Sequence, residues 1–379
     1  MSPTTTPPPS FADAKNKRQK ARAAGLDPNY WYAVALSKKL RPGQVVRATF
    51  WGTHVAVYRT EAGTVHTLED RCPHRHLPLS AGVVEGQKLR CQYHGWAMDA
   101  SGQLADVPHE LFGMKMPQCR IKAYPTRERY GLVWVFFGDA ENADKVPMPH
   151  IPDLEGPDRW ACVPIEVTWK AHHSMILENV SDFTHEFLHR KWKPFADSKL
   201  TKLETNERGV FVAYDTKVGY GGLASKFIDR GRVNTNYMEL GYEYPYQWSN
   251  TDDQIKHWLI CLPVDASTTK GFFLFHFKNF KIPGTPLSVP RRLMEPIIRI
   301  ANEIQVKPLL DEDGFAVEAE QAGWDQHWDQ PFAEISPAVH AFQAFTIKKW
   351  EQYLEREAAK KLVKESLVRQ PAKSDEAAE

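Results

Sequence analysis

Two short segments, Cys72-Pro73-His74 and Cys91-Gln92-Tyr93-His94-Gly95-Trp96, constrain this chain more than any other feature in it. Each offers one thiolate and one imidazole, and residues 75–90 separate them. A structural zinc site usually draws its ligands as a Cys pair and a second pair of Cys or His. Here each arm mixes the two types. That mixture suits a [2Fe–2S] centre with two sulfur ligands on one iron and two nitrogen ligands on the other. One Cys and one His from each arm would put Cys72 and Cys91 on the first iron, His74 and His94 on the second. Neutral imidazoles in place of anionic thiolates make such a centre easier to reduce than an all-Cys one. The alternative for the same four residues is a Cys2His2 zinc site.

The segments Cys-Pro-His-Arg and Cys-x-x-His-Gly-Trp resemble the N-terminal domain of the Rieske non-haem iron oxygenases, in their large (α) subunit. Pro73, Arg75, Gly95 and Trp96 match that pattern as well as the four ligands. His76 departs from it, since many members carry Gly after the Arg; it packs on the cluster loop or lies in solvent, and is not counted as a ligand.

A second group of histidines lies further along. Lys170 to Trp192 contains neither Pro nor Gly and repeats Met175, Ile176, Val180, Phe183 and Phe187 at helical spacing, which predicts one long helix stopped by Pro194. On such a helix His185 and His189, four apart, share a face and can grip one metal ion, with Asp182 and Asn179 on that face at steps of three. A lone pair of this kind is more often two surface residues. Asn-x-x-Asp-x-x-His with a second His shortly after is, however, similar to the mononuclear iron motif of the same oxygenases. Many members have four residues between the two His, where this chain has three.

Non-haem iron(II) oxygenases use two His and one carboxylate on one face of the metal, which leaves positions for O2 and substrate. The carboxylate must come from elsewhere, and the candidate segment runs from Asp311-Glu312-Asp313 to Gln321. Three acids near the start of a helix around Pro308 also complement its dipole, so composition does not choose among them. The resemblance implies a choice. Family members show Glu-Asp, an apolar stretch and a Gln eight residues after the Asp, the register of Glu312-Asp313 and Gln321, which makes Asp313 the third ligand. It also implies that Asp182 bridges, by hydrogen bonds, a cluster His of one subunit and an iron His of the next, in a head-to-tail homotrimer. The alternative is that Asp182 only orients His185 in its own chain. Asn179 stands beside these residues as a supporting group.

With 379 residues the chain is long enough for two domains. Its 48 basic and 47 acidic residues leave a net charge of +1, so no global field favours nucleic acid or a membrane surface. No stretch reaches the ~20 apolar residues of a spanning helix. Cys119, Cys162 and Cys261 remain after the cluster arms, an odd set without regular spacing. They read as small buried hydrophobes in a reducing cytoplasm. Residues 1–28 are Thr/Pro-rich and then basic, without the apolar core of a secretory signal, and read as a mobile tail.

From Tyr30 to Gly138 short strands alternate with turns, among them a hairpin of 45–51 with 54–59 about Gly52-Thr53 and a buried closing strand at Leu132–Phe137. The Pro- and Asp-rich stretch 142–157 reads as a linker. Residues 208–282 alternate as strands rich in Tyr and Trp, Tyr214, Tyr220, Tyr242 and Tyr246 among them, and these rings are either core or the lining of an apolar pocket. Helical patterns follow at Arg291–Val306, from about Pro308, and at Lys348–Val368. The expected fold is α+β: an all-β Rieske [2Fe–2S] domain over 29–145, then an α+β catalytic domain over 146–365, whose helices beside an antiparallel sheet carry a mononuclear Fe(II). Tails are expected at 1–28 and 366–379.

A cluster that carries one electron and an iron with open positions together make an O2-activating machine. The implied function is the terminal oxygenase of a multicomponent system. It would hydroxylate, dihydroxylate or oxidatively demethylate an apolar, aromatic or polycyclic small molecule. No Gly-rich dinucleotide fingerprint opens a βαβ unit and no second Cys set exists, so a separate ferredoxin or reductase must take the hydride from NAD(P)H. The competing reading is a Rieske-type electron-transfer protein without oxygenase activity.

Overall fold

The computed structural model describes residues 6–108, 113–189, 194–218, 237–251, 253, 255–278, 285, 287 and 289–368. Helix α1 (Lys17–Ala23) precedes strands β1 (Trp31–Leu36), β2 (Val45–Phe50), β3 (Thr53–Arg59), β4 (Val65–Glu69), β5 (Val83–Glu85), β6 (Lys88–Arg90), β7 (Ala97–Met98), β8 (Leu104–Asp106), β9 (Ala123–Tyr124), β10 (Thr126–Arg129) and β11 (Leu132–Phe136). After them come β12 (Ala161–Cys162), β13 (Ile165–Trp169), α2 (His173–Asn179), β14 (Phe195–Thr205), β15 (Val210–Val218), β16 (Tyr237–Glu243) and β17 (Tyr246–Thr251). The chain continues through β18 (Ile255–Asp265), β19 (Thr268–Phe273), β20 (His276–Phe277), α3 (Arg291–Ala301), α4 (Lys307–His327) and α5 (Pro337–Val368).

The first half forms three small antiparallel sheets, β1-β11-β10, β2-β3-β4-β9 and β5-β6-β7-β8. The first Cys/His arm leads from β4 toward β5 and the second joins β6 to β7. The second half is one nine-stranded sheet, β12-β20-β18-β17-β16-β15-β14, with β19 beside β18 and β13 beside β19. Helix α2 packs against α4, α5 and β18, while α4 reaches β13 and α5 reaches β14 and β15. The fold is α+β, as the sequence predicts.

β11 is the apolar run Leu-Val-Trp-Val-Phe, buried along its whole length because it lies between β1 and β10. The β2–β3 turn is Trp51-Gly52, both with positive φ, one residue earlier than the sequence suggests. Such turns match the twist of the flanking strands. The hairpin tip then docks on the second half: Trp51 N–H donates to Pro263 O and Gly52 N–H to Val264 O, each at 2.9 Å. Tyr246 Oη also donates to Trp31 O at 2.9 Å. One hydrophobic core runs from Trp31, Trp134 and Phe136 through Tyr244 and Tyr246 to Phe272, and it takes in Met148 and Ile151 of the connector. The boundary expected near residue 145 therefore falls in packed chain. A separate small core of Tyr58, Leu68, Leu79, Leu89 and Met98 holds Cys72 and Cys91.

Several elements differ from the sequence reading. The basic stretch expected to be a mobile tail contains α1, with Gln19, Ala21 and Arg22 buried, capped by Asn16 accepting from Gln19 N at 2.9 Å. The long helix expected over 170–192 ends at Asn179, and 180–189 continues as turns, with Leu188 N donating to His185 O at 3.0 Å. Short polar side chains compete for backbone donors there: Asp182 Oδ1 accepts from Thr184 N at 3.0 Å. Residues 190–193 lie outside the described residues. Asp311–Asp313 lie inside α4, which follows α3 through a π-helical turn over Asn302–Val306, and so do not mark a free helix start. Helix α5 begins at Pro337, well before Lys348, and reaches Val368; 369–379 lie outside the described residues, as does Tyr220. Cys261 is buried, Cys119 and Cys162 half-buried, and all five cysteines are free. Tyr214, Tyr242 and Tyr246 are core. No helix among the described residues is long and apolar enough to cross a membrane.

His173, at the start of α2, is wholly buried and its Nε2–H donates to Ala24 O at 2.8 Å. Burial holds its pKa down at about 4, against about 6.5 in the unfolded chain. Between those values the unfolded chain binds the extra proton. Stability should be full above about pH 6.5 and fall by about 1.4 kcal/mol per unit as pH drops toward 4. Urea unfolding midpoints should therefore drop between pH 7 and 5, and less steeply in His173→Gln.

Candidate metal centres

The two Cys/His arms have the same backbone construction. In the first, Cys72 N–H donates to Leu77 O at 2.8 Å and His76 N–H returns to Cys72 O at 2.9 Å. In the second, Cys91 N–H donates to Trp96 O at 2.9 Å and Gly95 N–H returns to Cys91 O at 3.1 Å. Each loop thus closes on itself through the backbone N–H and C=O of its cysteine. The closing residue of each arm is left-handed, His76 at φ 59° and Gly95 at φ 72°. His76 thus stands in exposed solvent at a position whose backbone favours glycine, and His is among the residues that tolerate it.

The arms bring their side chains together. The His74 and His94 rings lie 4.5 Å apart, and His74 stacks on Trp96 at 4.6 Å. Cys72 and Cys91 are buried. Burial pushes the Cys72 thiol up; the backbone N–H groups of His74 and Arg75 favour its thiolate, and the Cys91 thiol opposes it. His74 Nδ1 is buried without a hydrogen-bond partner. An orphaned imidazole nitrogen beside two thiols, whose backbone donors already face sulfur, fits a mixed-ligand iron–sulfur centre. Two charged residues flanking the ligands, not singled out in the sequence, brace the arms. Asp70 accepts from Ser80 N at 2.6 Å and from Arg47 Nε at 2.6 Å. Arg90 donates to Gly95 O and to Asp106 Oδ2, the latter at 2.8 Å.

The second group comes from two elements far apart in sequence. The turns after α2 supply His185 and His189, whose rings are 5.1 Å apart, and α4 supplies Asp313. Asp313 Oδ1 lies 3.5 Å from His185 Nε2 and 3.4 Å from His189 Nε2. One ligand atom from each of the three falls within 4.8 Å of the others, and no other His/Cys/Asp/Glu group of three or more meets that description among the described residues. Asp313 Oδ1 is buried without a hydrogen-bond partner. Two imidazoles and an orphaned carboxylate oxygen on a common side fit a facial iron(II) site. The ring of Phe195 stands edge-on to both imidazoles, at 5.0 and 5.4 Å.

Glu312, one of three acids that the sequence left side by side, has its own place: His189 Nδ1–H donates to Glu312 Oε2 at 3.0 Å. That bond fixes the tautomer and turns Nε2 toward Asp313. Asp311 lines an open surface depression of about 390 Å³ with Phe187, Leu188, Pro308, Glu312 and Phe315. Asn179 ends α2, and its carbonyl accepts from Asp182 N at 3.3 Å. Asp182 is half-buried, and no hydrogen bond joins it to His185 among the described residues. His172 and His173 are buried at the N-terminus of α2 and face Trp51 of the hairpin tip, at 6.0 and 5.9 Å.

Two stretches of the chain match known protein families. Residues 30–121 match the Rieske [2Fe-2S] domain, and residues 169–357 match the vanillate O-demethylase oxygenase C-terminal domain. Over 339 residues the chain is 43% identical to a 4β-methylsterol monooxygenase of Methylococcus capsulatus, covering 89% of this chain and 92% of that protein. Over 132 residues it is 38% identical to a vanillate O-demethylase oxygenase subunit of a Pseudomonas species, 35% of this chain and 39% of the relative. A crystal structure of dicamba monooxygenase bound to 3,6-dichlorosalicylic acid aligns with a TM-score of 0.70 at 21% identity, covering 89% of this chain and 100% of that one. Pseudomonas putida NdmA with caffeine aligns with a TM-score of 0.64 at 20% identity, covering 91% and 94%. At these identities the structural likeness speaks for the fold alone.

Gly95 offers a local test of the second arm. A Cβ there would sit 2.5 Å from Pro108 Cγ, on a backbone already at φ 72°. Gly95→Ala should cost about 1–3 kcal/mol. It should lower both the melting temperature and the cluster absorbance per chain, whereas an unchanged spectrum and melting curve would show that the arm tolerates a wider loop.

Proposed function

This chain belongs to the Rieske non-haem iron oxygenases, and on that premise we propose that Cys72, His74, Cys91 and His94 hold its cluster and that His185, His189 and Asp313 hold its mononuclear iron. The enzyme is a terminal oxygenase, an oxidoreductase that uses O2, and such oxygenases work on small molecules with a separate reductase or ferredoxin. When bound, the cluster supplies electrons one at a time and the iron supplies the place where O2 is activated. The observation that carries the assignment is Asp313 Oδ1, buried and unpartnered opposite two imidazole nitrogens.

The chain's own residues have distinct tasks around that site. Glu312 holds His189 in one tautomer, and Phe195 closes one flank of both rings against water. Gln247 reaches from the sheet toward the iron motif, its Nε2 lying 3.5 Å from Val180 O. On the same strands His257 bonds Ser249 Oγ at 2.7 Å and Gln247 Oε1 at 3.0 Å, among the rings of Phe273 and Phe275. An aromatic sheet face with one polar trio suits an apolar, polycyclic substrate that carries a polar group. We take the reaction to be monooxygenation of a methylsterol-like molecule, in line with the name of the Methylococcus relative, a 4β-methylsterol monooxygenase.

For Asp182 the proposed role is the bridge between a cluster histidine of one subunit and an iron histidine of the next. Its Oδ1 already accepts from Thr184 N, which steadies the carboxylate. Exposed aromatics on both faces support a head-to-tail ring: Tyr93 beside His94, and Phe187 (84% exposed) and Phe315 (71%) beside the iron residues. We propose a homotrimer on this ground, in a reducing cytoplasm that keeps the five cysteines free.

Asp313→Ala should keep the visible spectrum of the cluster and abolish product; turnover retained by that variant would remove Asp313 from the site. With a reductase and NADH, O2 uptake should be stimulated by a 4-methylsterol. Stimulation by vanillate and none by the sterol would overturn the substrate class.

A further inference from the structure

The matched family stretches begin at residue 30, yet α1, at Lys17–Ala23, packs against α2 and α5. Arg22 is 6% exposed. Its Nη2 donates to Glu178 Oε2 at 2.8 Å and to Glu320 Oε1 at 2.7 Å. Its Nη1 donates to Glu178 Oε1 and to Ser174 Oγ, the latter at 2.7 Å. Glu178 lies in the last turn of α2, four residues before Asp182 and seven before His185. Glu320 lies on α4 seven residues after Asp313, two turns along the same face. One guanidinium thus grips α2, from whose end the turns with both imidazoles depart, and α4, which supplies the carboxylate.

Other ties secure the opposite end of the α2 segment to α4. His172 N–H donates to Gln321 Oε1 at 2.9 Å and Lys170 N–H to Glu318 Oε1 at 2.9 Å. Gly314 lets α4 approach Trp169 so closely that a Cβ would strike the indole. Those contacts hold residues 169–172, whereas Arg22 holds the end from which the histidine turns depart. Helix α1 is itself held down. The Arg18 guanidinium lies 3.9 Å from the Phe332 ring centroid, Lys20 pairs with Glu351 at 2.7 Å, and a Cβ on Gly25 would sit 2.5 Å from Trp350. Burial pushes the Glu178 carboxyl up and Arg22 pulls it back, so the two depend on each other.

We propose that Arg22 is a positioning residue for the iron site: through Glu178 and Glu320 it sets the spacing between the His185/His189 turns and Asp313, and the N-terminal helix thereby tunes metal affinity. This rests on the reading of those three residues as the iron ligands. The test uses the full chain with its cluster assembled and the mononuclear iron removed by chelation, titrated anaerobically with Fe(II). Arg22→Met should weaken Fe(II) binding about tenfold with the cluster spectrum unchanged. Arg22→Lys, which keeps the charge but not the fork, should recover part of it. Glu320→Gln alters the half-exposed end of the clasp and should weaken binding severalfold. Wild-type Fe(II) affinity in Glu320→Gln and in any folded Arg22→Met would overturn the proposal and leave these bonds a role in stability alone. Asp313→Ala serves as the control. If it too binds Fe(II) as tightly as the wild type, the ligand assignment fails, and the clasp with it.

Discussion

A buried carboxylate oxygen that meets no proton donor is the constraint on which the second half of this molecule turns. Asp313 Oδ1 faces His185 Nε2 and His189 Nε2 at 3.5 and 3.4 Å and has no hydrogen bond. Leaving such a group unpaired costs on the order of 1–3 kcal/mol, more when it is charged. The surrounding packing must hold it there, and it does so with polar ties between α2 and α4, a glycine at 314 that admits Trp169, and Glu312 on the far nitrogen of His189. A divalent cation held there, as proposed, would supply the partner that this oxygen lacks.

The cluster arms obey the same logic on a smaller scale. Each arm ties its cysteine through a pair of backbone hydrogen bonds, and the first leaves His74 Nδ1 buried without a hydrogen-bond partner. Buried unsatisfied polar atoms are few in folded proteins and call for a specific explanation. Here two of them belong to residues proposed to bind metal. The hairpin tip at Trp51-Gly52 joins the two halves, since it hydrogen-bonds to β18 and lays Trp51 against His172 and His173 at the base of α2.

What the sequence made legible follows from how local each signal is. Each arm holds its two candidate ligands within a few residues, so its Cys/His pattern could be read locally. His185 and His189 were readable as a pair, but not their backbone: the chain runs in turns, with the Asp182 carboxylate accepting from Thr184 N, where apolar periodicity predicted a helix. Asp313, which lies beside both imidazoles, was singled out by the family register with Gln321. That spacing has a physical reason, because Gln321 accepts from His172 N and so ties α4 to the start of α2. Arg22 was not legible. A basic residue in a Thr/Pro-rich and basic leader looks solvated, and its partners Glu178 and Glu320 lie 156 and 298 residues away.

Two different metal centres in one chain are what this function requires, and metal analysis of the anaerobically loaded protein tests for both. Iron, acid-labile sulfide and zinc, measured against protein, should give about three irons and two sulfides per chain, with a visible cluster spectrum. A chain saturated at about two irons and two sulfides would be an electron carrier alone, and a colourless zinc protein would contradict both centres.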